Sequence, residues 1–159
     1  MAKAREVPGL DGEITFAEAA KRTIEVRSQE IFSFADGVLD TSDIERVHDM
    51  RVATRRLRAV LEIFATCFPK DRHHAVLKEV KALADALGER RDPDVQLEGI
   101  AALEDEMDEA DRPGLEELAT RLRDEQAAGN LALAQALQHA EETDLRGQLQ
   151  ALAEEARRS

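Results

Sequence analysis

Apolar residues return every three or four positions along most of this chain, and nowhere does a two-residue alternation persist as it would in a strand. Ala, Leu, Glu and Arg, all strong helix formers, supply most of the pattern. This restricts the chain to an all-α fold, an antiparallel helical bundle of four to six helices. With 159 residues, 43% of them hydrophobic and 35% charged, there is enough apolar material for one buried core and too little length for two. The expected division is a polar lead-in at 1–13 followed by a single helical domain at 14–159.

Local signals set the expected boundaries. A first helix is predicted from Thr15 to Val38, with Phe16, Ala20, Ile24, Ile31 and Phe34 turned inward and Gly37 at its end. Ser42 followed by Glu45 matches a capping box, so the second helix should open there and run to Phe68, where Pro69 stops it. The third is expected from Arg72 to Leu87, closed by Gly88. Asp92 and Pro93 suit the cap and first turn of a fourth, extending to Asp108. Pro113-Gly114 is the strongest break in the second half, and residues 127–130 leave open whether one helix or two follow.

Charge is distributed unevenly. Residues 98–159 hold 16 acids and 6 bases, which accounts for most of the net charge of −12. Against that background, the stretch RVHDMRVATRRLR at 46–58 gathers five arginines around one acid. At 100° per residue, Arg55, Arg51 and Arg58 lie about 20°, 60° and 80° from His48, all on one side, while Met50, Ala53, Leu57 and Phe64 take the opposite face. Cations at this spacing repel one another by a few tenths of a kcal/mol per pair, so something anionic should face them. Acids of a neighbouring helix could supply it, or a ligand could. Arginine forks bind phosphate oxygens bidentately, and His48 would add a donor that strengthens on protonation.

VHDMRVATRRLRAVLEIF at 47–64 closely resembles the signature helix of the CHAD family, the conserved histidine α-helical domain, in which a His precedes Arg by three and seven positions. LADALGERRDPDV at 83–95 resembles that family's Leu-Gly and Arg-Asp-x-Asp-Val element. The likeness covers residues 14–110 well and the remainder as generic helix. It implies non-catalytic binding of inorganic polyphosphate on a basic surface, often in proteins of polyphosphate granules. It also implies that His48, Arg51, Arg55, Arg56 and Arg58 belong to the basic motif, and Arg91, Asp92 and Asp94 to the second one. The family's usual domain has two similar helical halves, whereas this sequence repeats no second His-x-x-Arg helix. It therefore resembles the N-terminal half alone, and a homodimer would restore the other half.

Other chemistry finds less support in the residues. Asp92 and Asp94 superficially suit a Mg²⁺ pair, but a helix cap neutralised by Arg90 and Arg91 explains them better. His73 and His74 diverge by about 100° and cannot readily share a metal. Lys78 and Lys81 share a face and could extend the basic surface or simply be solvated. No cofactor, metal or catalytic residue is expected. Specific nucleic-acid recognition is disfavoured by the acidic remainder and by the lack of Trp and Tyr. Cys67 should be packing and not a nucleophile. With no apolar run of membrane-spanning length, the expected setting is the cytoplasm. The alternative to polyphosphate binding is a protein-interaction module whose arginines form structural salt bridges.

Overall fold

The computed structural model describes residues 2–157, and among them it contains five α-helices and no strand. These are α1 (Phe16–Ser33), α2 (Ile44–Ile63), α3 (Lys70–Glu104), α4 (Arg112–Glu142) and α5 (Leu145–Glu154). Side-chain contacts show each pairing to be antiparallel. Phe16 meets Phe64 across α1 and the end of α2, Lys81 and Arg91 of α3 reach Glu62 and Ile44 of α2, and Arg90 of α3 holds Asn130 of α4. Helix α5 returns along α1, with Glu154 beside Lys21 and Arg146 over the Phe32 ring. The antiparallel bundle expected from the periodicity is what forms.

One core runs through all five helices, built around Ile24, Ile31, Met50, Leu57, Leu61, Val80, Leu83, Leu87, Leu133, Leu149 and Leu152. Helices α3 and α4 extend beyond it as a hairpin with its own small cluster of Ile100, Ala119 and Leu122. The lead-in does not hang free. Val7 is buried, the Ala2 N–H donates to Asp49 at 2.6 Å, and the Arg5 N–H donates to the Glu30 carboxylate.

Several boundaries differ from expectation. Helix α1 starts where predicted, because Thr15 Oγ1 accepts from the Glu18 N–H at 3.1 Å, but it stops at Ser33 and the chain then descends through tight turns to Gly37 at φ +72°. Phe16 is half exposed. Ser42 does not form a capping box. Its N–H and hydroxyl both donate to Asp40, which with Arg46 holds that carboxyl below its ordinary range, and Asp43 takes the cap position. Helix α2 ends at Ile63, and a 3₁₀ turn, Ala65–Cys67, leads to the extended Phe68 before Pro69.

The largest difference is in α3. Gly88 does not close the helix, and neither Asp92 nor Pro93 opens another; all three lie inside one continuous helix of 35 residues. Pro93 lacks the N–H that would have bonded the carbonyl of Glu89. That carbonyl faces Gly129 of α4, where an added Cβ would stand 2.9 Å from it and 3.1 Å from the Arg90 Cα. The close crossing of α3 and α4, available only to glycine on α4, is thus where the helix-breaking signals of α3 are absorbed. Helix α4 likewise runs through 127–130, and Pro113-Gly114 lies in its first turn. The break comes instead at Asp144, which adopts φ 51° and caps the Gly147 N–H.

Alanine at an exposed helical glycine ordinarily stabilises by up to about 1 kcal/mol. Gly129 is instead buried against the backbone of α3, so Gly129→Ala should lower the melting temperature, while Gly99→Ala, where an added Cβ meets nothing within 4 Å, should hold or raise it. Thermal unfolding followed by circular dichroism decides this, and a gain at both positions would contradict the close crossing.

Candidate functional site

Helix α2 buries Met50, Ala53, Leu57 and Leu61 and leaves Arg51, Arg55 and Arg58 exposed, as its amphipathic pattern requires. These three arginines form one wall of a groove of about 490 Å³ between α2 and α3. Val52, Ala84 and Gly88 make the floor. A Cβ at Gly88 would make only an ordinary contact, 3.9 Å from Arg51 Nε, so the groove is open by the spacing of the two helices and does not need this glycine. The opposite wall is acidic, consisting of Asp85, Glu89 and Asp92 on α3.

The two walls face each other without closing. No carboxylate among the described residues lies within 4.0 Å of the Arg51 or Arg55 guanidinium. Arg58 is engaged within its own helix, its Nε 3.2 Å from Glu62, and Lys81 reaches the same carboxylate at 3.7 Å. Lys81 is thereby held beside Arg58 through the shared Glu62, but neither it nor Lys78, exposed on the same helix, lines the groove.

The other sequence candidates sit elsewhere. His48 is half-buried outside the groove lining, with Glu45 and Asp49, and the donor atoms of these three lie within 4.8 Å of one another. Arg56 is half-buried and lines none of the groove. Arg91 donates to the carbonyl of Ile44 at 3.5 Å, where it ties α3 to the start of α2. Arg46, in the first turn of α2, pairs with Asp43 and donates to the Asp36 carbonyl, so it fastens the segment that precedes the helix.

Asp92 and Asp94 diverge. Asp92 borders the groove, whereas Asp94 is buried against Arg90 and accepts from Gln126 Nε2 at 2.6 Å. Neither caps a helix, and the pair does not converge on a common point. His73 is not at the surface; its Nε2 sits 2.7 Å from the Leu61 carbonyl and its ring stacks on Phe68 at 5.9 Å. Cys67 is buried, and burial pushes its thiol pKa up, in keeping with a packing role.

The acidic wall is hidden in the sequence because Gly88 and Pro93 signal a break between its members. On one continuous helix, Asp85, Glu89 and Asp92 have the i, i+4, i+7 spacing that places them on a single face. The sequence pairs Arg90 with Asp92 and Asp94 only as a neutralised cap; the burial of Arg90 and Asp94 inside a continuous helix is what it does not reveal.

A family model for the CHAD domain matches residues 23–159. The chain belongs to the CHAD domain family. The match continues through α4 and α5, well beyond the first 110 residues in which the sequence likeness is concentrated. No curated protein matches the sequence. In this CHAD domain the motif arginines Arg51, Arg55 and Arg58 share one groove, and no helix among the described residues is long and apolar enough to cross a membrane.

Proposed function

We propose that this CHAD domain binds inorganic polyphosphate non-covalently along the arginine face of α2, in a binding role without catalysis. The observation that carries the reading is the row Arg51, Arg55 and Arg58 on one wall of an open groove, with the first two guanidiniums free of any carboxylate within 4.0 Å among the described residues. Unpaired arginine forks are suited to phosphate oxygens, and a flexible single phosphate chain follows a groove of this kind more readily than a stiff duplex does. Lys81, with Lys78 beside it, would extend the path, and His48, Arg56 and Arg91 would serve its margins.

A homodimer would present a second arginine face and complete the groove from two copies, in keeping with the single basic motif in the sequence. Association with polyphosphate granules in the cytoplasm follows from this reading. The Arg58–Glu62–Lys81 cluster favours the rival view, an interaction module with structural salt bridges, at that end of the groove only.

Binding of long-chain polyphosphate at two salt concentrations, with light scattering in parallel, tests the proposal. Binding should weaken as salt rises, and the species in solution should be a dimer. Absence of binding at low salt would remove the function, and a monomer that still binds would remove only the dimer.

A further inference from the structure

The acidic wall is unexpected in a site for a polyanion. Asp85, Glu89 and Asp92 point into the same groove as Arg51, Arg55 and Arg58, and all three acids belong to one rigid helix. Three negative charges thus stand against three positive ones. Beyond contact distance such a groove has little net field, because opposite charges at similar range cancel. Within contact distance the balance is different. Arg51 and Arg55 are not consumed by the acids, so their N–H groups stay available to a ligand that reaches them.

We propose that Asp85, Glu89 and Asp92 are the specificity determinants of the groove: they cancel the arginine field at long range, so that only an anion touching the guanidinium forks is held. Polyanions too thick to enter, above all duplex nucleic acid, are refused because they depend on the long-range field alone. This deepens the polyphosphate reading and rests on it. It also accounts for an arginine row in which acids face the bases without pairing to them.

The test is the triple variant Asp85→Asn/Glu89→Gln/Asp92→Asn, compared with the natural chain for binding of long-chain polyphosphate and of a short DNA duplex at low salt. A control variant, Glu98→Gln/Glu109→Gln/Glu117→Gln, removes the same charge from exposed positions outside the groove. The groove variant should acquire duplex binding that the natural chain and the control lack. Its polyphosphate affinity should rise by about tenfold, mainly through faster association, with a steeper salt dependence.

Equal duplex binding by both variants would overturn the proposal, because net charge alone would then explain it. A fall in polyphosphate affinity would also overturn it, by showing that the acids hold the ligand. Failure of the natural chain to bind polyphosphate would instead reject the functional reading, while the duplex comparison would still report on the acidic wall. The six substituted positions are exposed, and melting curves verify that each variant folds.

Discussion

Replacing Asp94 with alanine should destabilise the protein by about 3–5 kcal/mol, the usual result of stripping one partner from a buried ion pair. Arg90 is 0% exposed and Asp94 1%, so the guanidinium left behind would face neither water nor a counter-charge. Its remaining side-chain partner would be Asn130, whose Oδ1 accepts from Arg90 Nε at 3.1 Å and whose Nδ2 donates to the Leu39 carbonyl. Gln126 would lose its acceptor too. For a domain of this size each kcal/mol lowers the melting temperature by about 2–4 °C, so a fall on the order of 10 °C is expected.

The double variant Arg90→Met/Asp94→Leu should recover most of that loss, because it removes both charges while keeping the volume. Arg90 Nη2 and Asp94 Oδ2 have no protein partner, so the natural pair does not repay its full desolvation. Its benefit lies in alignment, since it connects α3, α4 and the loop before α2. Urea unfolding of the single and double variants measures both effects. An Asp94→Ala loss below about 1 kcal/mol would mean that the pair is not desolvated as described.

Arg51→Glu/Arg55→Glu should abolish polyphosphate binding, a loss of a hundredfold or more, since each charge-assisted hydrogen bond contributes about 1.5–3 kcal/mol. Both arginines are exposed and without an ion-pair partner among the described residues, so their removal takes no contact from the core. The reversed charges do add repulsion against Asp85, Glu89 and Asp92, which Arg51→Gln/Arg55→Gln avoids. The glutamine variant should melt close to the natural chain and still bind poorly. If it melted much lower and the natural chain bound no polyphosphate, the arginines would be structural and the interaction-module reading would replace this one.

Much of the site is legible in the sequence. The core face and basic face of α2 follow from 3.6-residue periodicity, which places Arg51, Arg55 and Arg58 together and Met50, Ala53 and Leu57 opposite. The same arithmetic groups His48 with them and sets it beside Glu45 and Asp49 of its own helix, yet it lies outside the groove lining, which depends on how α3 packs against α2. Lys81 is indicated by its helix face, and its approach to Glu62 depends on the register between α2 and α3. The donation from Arg91 to the Ile44 carbonyl likewise depends on that register.

By itself, then, the sequence determined what repeats locally: the helical class, the antiparallel order imposed by short connections, the inward faces and the arginine row. Tertiary structure decided what depends on neighbours. Gly88 and Pro93 carry a local preference to end a helix worth a few kcal/mol, and burial of Val80, Leu83, Leu87 and Ile100 against other helices outweighs it. Once α3 is continuous, Asp85, Glu89 and Asp92 align opposite the arginines, and Arg90 meets Asp94 in the interior. What cannot be read along the chain is the continuity of α3 and the burial of Arg90 and Asp94: given one unbroken helix the i, i+4 and i, i+7 spacings follow, but only long-range packing overrides the local propensity of Gly88 and Pro93.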